Sequence, residues 1–359
     1  MKTACVDSNP EVLIPGCREV ARGAVDAAPG DLAEPQVCAP ILLLGFNRPD
    51  LLRGLVGILA KVQPPKLYLA VDGPRPGREG EATACAECAA VLDHLDWPCQ
   101  VEKLVRTENL GCRLAVTGAI DWFFSKEEEG IILEDDCWPD PSFLRFATEL
   151  LERYRNDERV GMVCGNNPFQ AISSKTDSYN FMMIRSIWGW ATWRRVWVKY
   201  DGDPEHWRHE LPGLLKEVYL TRQGRNLQTI YLRGLLKNNN TWDLQLQWVF
   251  LRERLLSIHP RRNLVRNMGF IPGTAGTHIA GYCYGWDNAL SVWSIAFPLV
   301  HPDTVERDFA ADRLHERRAW AILPRALTII GLKGGKLGRT LAECAHPIEK
   351  ALPWLFRIG

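Results

Sequence analysis

The chain has 359 residues, 46% of them hydrophobic and 24% charged. That composition excludes a disordered chain and leaves room for one large α/β domain with appendages or two modest domains. The formal net charge of zero argues against nucleic-acid binding through an overall field, and 11 scattered cysteines do not form the framework of a small disulfide-bonded domain.

Residues 1–37 mix Pro, Gly and charge without periodicity and are expected to form a loose N-terminal arm. Ile41-Leu42-Leu43-Leu44-Gly45-Phe46 is a short apolar run, the pattern of a strand buried on both faces. Asn47 and Pro49 then open a helix whose stripe is Leu51, Leu52, Leu55, Val56 and Leu59. Residues 66–71 form a second strand that ends in Asp72-Gly73-Pro74, a turn. The spacing of Cys85 and Cys88 fits two helix residues on a similar side better than a zinc site, because no second pair lies at finger spacing. A third strand at 101–105 and a helix bearing Leu114, Val116, Ile120 and Phe123 follow.

Ile131-Ile132-Leu133 is a fourth strand and runs straight into Glu134-Asp135-Asp136. Asp140-Pro141 caps a helix carrying Phe143, Leu144, Phe146, Leu150, Leu151 and Tyr154, and residues 160–164 are a fifth strand. The alternation predicts an α/β fold with a mostly parallel sheet sandwiched by helices. Ligands of such sheets sit beyond the carboxyl ends of strands, where both Asp72 and the acidic triplet fall. Further on, residues 188–197 are rich in aromatics, 223–236 read as helix, a helix follows Trp242-Asp243, and 257–260 form a short strand and turn.

Three adjacent carboxylates at the end of a buried strand repel one another unless a cation neutralises them. Hard divalent cations take oxygen ligands, often one or two carboxylates plus substrate phosphates, and a diphosphate leaving group needs such a cation. The competing reading is a solvated acidic turn that caps the next helix.

Residues 130–143 (Gly-Ile-Ile-Leu-Glu-Asp-Asp-Cys-Trp-Pro-Asp-Pro-Ser-Phe) resemble the acidic-motif segment of GT-A-fold glycosyltransferases. They are most similar to bacterial nucleotide-diphospho-sugar transferases related to N-acetylglucosaminyltransferase I, which carry a Glu-Asp-Asp form of the Asp-x-Asp motif. Phe46-Asn47-Arg48-Pro49, Val71-Asp72-Gly73-Pro74-Arg75, Glu108-Asn109-Leu110-Gly111-Cys112, Trp188-Gly189-Trp190, Thr241-Trp242-Asp243 and Gly276-Thr277-His278 agree in order, so the resemblance spans roughly residues 38 to 285. It implies a GT-A domain over 38–299 and leaves 300–359 as a C-terminal helical appendage. The implied activity is inverting transfer of a sugar from a nucleotide-diphosphate donor, a UDP-sugar with N-acetylglucosamine as the analogue, to a glycan or lipid-linked hydroxyl acceptor, with Mn²⁺ or Mg²⁺.

The resemblance also implies roles. Asp136 would ligate the metal, with His278 as a late contact to metal or diphosphate. Asp135 and Glu134 would meet the ribose and donor sugar. Arg48 would reach the nucleotide or its phosphates, Asp72 would accept from uracil, and Trp190 would wall the donor sugar or acceptor. Asp243 would be the single base that inverting transfer requires. Each has a plainer alternative: a loop arginine, a turn aspartate, a packed tryptophan, a helix-capping aspartate, a structural histidine.

A sugar-phosphate nucleotidylyltransferase would place a Gly-rich loop after the first strand, whereas Gly45-Phe46-Asn47-Arg48-Pro49 holds one glycine. An inactive nucleotide-sugar-binding module would have lost the triplet or Asp243. No signal-peptide core and no apolar run of about 18 residues occur, so a cytoplasmic location is expected, where the Asn239-Asn240-Thr241 sequon carries no meaning. Apolar and basic residues from Arg317 onward suit peripheral contact with the inner face of a membrane, or docking on the chain's own core.

Overall fold

A computed structural model describes residues 38–270 and 291–321, apart from Pro168, Ala171, Ser173 and Lys175. The expected N-terminal arm, His278 and residues 322–359 lie outside the described residues. The α/β fold is present. The first half alternates strictly: β1 (Ile41–Gly45), α1 (Pro49–Leu59), β2 (Lys66–Val71), α2 (Glu81–Ala90), β3 (Gln100–Val105), α3 (Gly111–Phe124) and β4 (Glu129–Glu134). Then come β5 (Cys137–Pro139), α4 (Pro141–Arg153), β6 (Val160–Cys164), β7 (Tyr179–Met182), β8 (Trp190–Trp193) and α5 (Arg194–Trp197). The chain continues through α6 (Pro204–Val218), α7 (Arg222–Lys237), α8 (Asp243–Arg252), β9 (Leu256–Pro260) and β10 (Val265–Asn267), and a last described helix, α9, spans Phe309–Ala321.

Eight strands form one sheet in the order β3-β2-β1-β4-β8-β6-β9-β7. β3, β2, β1 and β4 are mutually parallel. β8 is antiparallel to both β4 and β6, β9 is parallel to β6, and β7 closes the edge antiparallel to β9. The central strands read as apolar runs because both faces are covered: residues 41–43 and 131–133 are fully buried. From β1 the chain winds outward to β2 and β3, then returns to β4 on the other side of β1. Strand order therefore reverses between β1 and β4, the position at which such sheets bind ligands.

Cys85 and Cys88 are both buried on α2, the packing the helix spacing expects. α4 begins with Asp140, whose carboxylate accepts from the Ser142 amide at 2.9 Å, with Pro141 at its first position. The expected boundary at residue 300 does not fall at a loose joint among the described residues. The Asp312 carboxylate on α9 is fully buried and accepts from the amides of Met183 and Ile184 at 3.0 and 3.3 Å. Glu316 accepts from the amides of Leu220 and Thr221 at 2.9 and 2.7 Å. α9 is thus built into the β7 side of the sheet.

Candidate active site

The carboxyl ends of β1, β2 and β4 lie side by side and lead into the expected residues: Arg48 after β1, Asp72 after β2, and Glu134, Asp135 and Asp136 at the end of β4. The Asp135 amide donates to the Leu44 carbonyl at 3.0 Å, so the turn after β4 is zipped to the end of β1. Arg48 leaves β1 as the residue before α1. Its Nε donates to Asp135 Oδ2 at 3.0 Å and its Nη1 to Asp136 Oδ2 at 2.9 Å, and Nη2 pairs with Asp135 Oδ1. Asp135 and Asp136 are 2% and 4% exposed, so this is a nearly dry ion pair and not a loop arginine in solvent.

One guanidinium does not balance the cluster. Glu134 is held above the ordinary carboxylate range by burial first, then by Asp136 and Asp135. Asp135 is raised by burial as well, against the pull of Arg48. The donors are all oxygens and the residual charge is negative, which is the chemistry of a hard divalent cation's site. Among the described residues no three acidic, histidine or thiol side chains close a ligand cage. A cation here would complete its shell with substrate oxygens, and the carboxylates fit that use.

Two supports of the turn lie far away in sequence. Trp138 Nε1 donates to the carbonyls of Leu51 and Asp135 at 3.1 and 3.2 Å. A Cβ on Gly54 would fall 2.1 Å from the Trp138 ring, so Gly54 lets the indole lie flat on α1. β10 pairs antiparallel with β5, and the Met268 amide donates to the Asp136 carbonyl at 2.7 Å. A Cβ on Gly269 would lie 2.6 Å from Asp136 Oδ2, so the glycine keeps the space beside that carboxylate open. Glu81 is a further support: its carboxylate accepts from Asn47 Nδ2 at 2.9 Å and from the Arg75 amide at 2.7 Å, joining the loops after β1 and β2. Asn267 pairs with Cys137 across this ribbon, and nothing in the local sequence flags Asn267, Gly269 or Glu81, because each acts across a long separation.

Asp72 sits at the expected strand end, but its carboxylate is filled. Oδ1 accepts from the amides of Gly73 and Leu110, both at 3.0 Å, and Oδ2 from Asn109 Nδ2 at 2.9 Å and the Gly111 amide at 3.1 Å. These four donors match the acceptor capacity of a carboxylate and leave no lone pair for a base edge. The expectation of a direct uracil contact is corrected to a role in closing the β3–α3 turn. A Cβ on Gly73 would strike the Glu108 backbone at 2.4 Å, which fixes how closely those loops approach.

Trp190 also takes a different place. It is 1% exposed, held in β8 between Ile132 and Cys164, so it cannot wall a sugar. Its ring stacks on Trp242 with centroids 5.8 Å apart, and Trp197 packs against both at 6.4 Å. The stack is a floor beneath the α7–α8 loop, which leads into Asp243. Tyr200 Oη donates to the Trp242 carbonyl at 3.0 Å, and Arg113 Nε on α3 donates to the Asn239 carbonyl at 3.0 Å.

Asp243 is the first residue of α8, one position inside the cap residue Trp242, which makes no side-chain cap bond. Its carboxylate is therefore not spent on capping. The Thr241 hydroxyl donates to Oδ1, and the side chain stays 29% exposed. Its negative field reaches Glu134 and Cys112 on the first turn of α3. The Cys112 thiol is raised by the protein mass around it, then by Glu134, Asp243 and Asp72, although the residue itself is solvent-exposed. The acidic turn, the start of α3 and the start of α8 thus lie within electrostatic reach of one another.

No family model matches the chain, and no curated protein matches it. Among solved structures it is similar to a mannosyltransferase from Pyrobaculum calidifontis in complex with GDP-Man and Mn2+, at 14% identity and a TM-score of 0.42, covering 92% of this chain and 86% of that one. It is also similar to mouse xyloside xylosyltransferase 1 (11% identity, TM-score 0.32, 60% of this chain and 83% of that one) and to HddC from Yersinia pseudotuberculosis (7%, 0.28, 44% and 77%). Overlap this loose does not discriminate between chemistries, so the side chains must.

Proposed function

We propose that the chain is a GT-A-type glycosyltransferase that moves a sugar from a nucleoside diphosphate to a hydroxyl acceptor with inversion. The observation that carries this reading is a charge-unbalanced carboxylate turn at the β1/β4 reversal with a second, partly exposed carboxylate, Asp243 at the start of α8, within electrostatic reach of it.

In the proposed reaction Asp243 removes the proton from the acceptor hydroxyl while that oxygen forms a bond to the anomeric carbon. The anomeric C–O bond to the diphosphate breaks, and its electron pair leaves with the nucleoside diphosphate. One carboxylate suffices, because no covalent sugar–enzyme bond has to form and be resolved. Asp136, assisted by Asp135, would hold Mn²⁺ or Mg²⁺, which supplies neutralising charge to the leaving diphosphate. Arg48 is placed to share that task, with the start of α1 offering free amides to phosphate. Glu134 reaches into the cleft for the ribose or donor sugar. Asp72 shapes the base pocket through the β3–α3 turn.

UDP is the proposed nucleotide, with a glycan or lipid-linked acceptor and a cytoplasmic setting. Among the described residues no helix is long and apolar enough to cross a membrane. His278 remains the proposed late contact to metal or diphosphate, and residues beyond α9 a proposed peripheral membrane contact.

The test is nucleotide release by the full chain from a panel of UDP- and GDP-sugars with Mn²⁺, Mg²⁺ or EDTA. Metal-dependent release is expected, and Asp136→Ala should lower it by about 10²-fold or more. Equal release in EDTA, or full activity in that variant, would refute the assignment.

A further inference from the structure

The loop between β7 and β8 carries a buried arginine that none of the roles above employs. Arg185 is 9% exposed, and its side chain 6%. Burying a guanidinium is costly unless a partner compensates. Burial pushes Arg185 down from its ordinary value, and the foremost support for its charge is Asp243. Nη2 donates to the main-chain carbonyl of Asp243 and lies 3.7 Å from Asp243 Oδ2. Its Nε is buried with no partner among the described residues. The guanidinium therefore addresses Asp243 on both its backbone and its side chain.

The surroundings hold the arginine there. The Arg185 amide donates to Gln247 Oε1 at 3.1 Å, and Gln247 Nε2 donates to the Met183 carbonyl at 3.1 Å. Gln247 is one turn along α8 from Asp243, so the same helix that presents the carboxylate also grips the loop that presents the cation. Asp312 fixes the two preceding amides from the opposite side. A short, buried, doubly anchored loop does not need a charged residue to fold. An apolar side chain of similar volume would avoid the desolvation cost.

We infer that Arg185 is a positioning residue for Asp243, clamping the first residue of α8 and facing its carboxylate so that the base meets an acceptor hydroxyl in one orientation. The Thr241 hydroxyl on Oδ1 and the guanidinium near Oδ2 fix the orientation of a carboxylate that is still 29% exposed. The inference rests on the reading of Asp243 as the base. Arg185 touches no donor-binding residue named above, so its removal acts on turnover and not on donor affinity.

The experiment compares kcat and donor KM for the full chain, Arg185→Gln, Arg185→Lys and Asp243→Asn, using Mn²⁺ and whichever sugar nucleotide of the panel is turned over. Arg185→Gln should lose about 10- to 100-fold in kcat, the scale of a misplaced reacting group, with donor KM within about twofold of wild type. Arg185→Lys should fall between the two, because an ammonium restores the charge but cannot reach carbonyl and carboxylate together. A folded Arg185→Gln with wild-type kcat overturns the role while leaving Asp243 as the base. A loss that Arg185→Lys does not restore, with KM and kcat worsening together, assigns Arg185 to folding alone and also overturns it. Full turnover in Asp243→Asn, or no turnover of any sugar nucleotide by the wild type, removes the base reading first and the role with it. Should Arg185→Gln not fold, wild-type kcat in Arg185→Lys overturns the inference.

Discussion

The two sides of the sheet present acid groups in opposite ways. On the β1–β4 side, carboxylates crowd together at strand ends, above an apolar double-faced sheet that locks the backbone and leaves the charges strained. On the β6–β9 side, acids and bases are distributed through the interior and neutralised one by one: Asp312 by main-chain amides and Arg307, Glu316 by the amides of Leu220 and Thr221, Arg185 by Asp243. The first arrangement has unspent charge to offer a ligand. The second spends its charge on shape, and the shape it sets is that of the α8 start. Under the proposed function, donor and acceptor chemistry would be divided between a charged shelf and a stitched scaffold.

Four substitutions would break or sharpen that contrast. The largest effect is expected at the point where the scaffold reaches the cleft. Asp243→Asn should retain nucleotide binding by calorimetry and lose transfer by about 10²- to 10⁴-fold; a variant that binds poorly would place Asp243 on the donor shelf instead. Next comes Asp312→Ala, which leaves two amides and Arg307 unpaired in a buried site and should cost about 3–5 kcal/mol in urea unfolding. A cost below about 1 kcal/mol would mean α9 is only draped on the core. Gly269→Ala pushes a methyl against Asp136 Oδ2 and should weaken metal-dependent nucleotide binding by about 10-fold while circular dichroism stays unchanged.

The smallest effect concerns pH. His259 is fully buried, with Nε2 2.7 Å from the Ile184 carbonyl, to which it donates, and Nδ1 3.3 Å from the Asn166 carbonyl, and burial pushes it down to about 4. Its folded-state value lies below its unfolded one, so the unfolded chain binds the extra proton first, and stability is lost as pH falls from about 6.5 toward 4. His259→Asn lacks that liability. Its deficit against wild type should shrink on acidification by at most about 1.4 kcal/mol per pH unit, read by unfolding at pH 7, 6 and 5. A constant deficit would show that the ring is not held neutral.

The same division explains what the sequence could reveal. β1, α1, β2, β4, α4 and β6 are legible because each buries a continuous or helical-period apolar face, and Glu134-Asp135-Asp136 stands out at the end of one such run. β7 and β8 are not. They are short antiparallel strands in which Tyr179, Phe181, Trp190 and Trp193 are all nearly fully buried, so neither alternation nor a clean apolar run marks them, and the tryptophans read equally well as helix. α6 is hidden by an internal Pro212. At the site, residue type singled out Asp243 and Arg48, whereas the four donors around Asp72 and the burial of Trp190 come from partners that only folding supplies. Arg185, Asn267, Gly269 and Glu81 act through neighbours remote in sequence, and no local pattern announces them.

The β5–β10 ribbon has a practical corollary for anyone who trims this protein. The acidic shelf looks self-contained in the βα half, yet the Asp136 carbonyl and the open space beside its carboxylate are both defined by residues 267–269. A fragment that stops after β9 would keep every strand of the main sheet and still lose the back wall of its most charged turn. On the proposed function, a donor-binding fragment would have to include Gly269, and mutations there are expected to resemble those at Asp136.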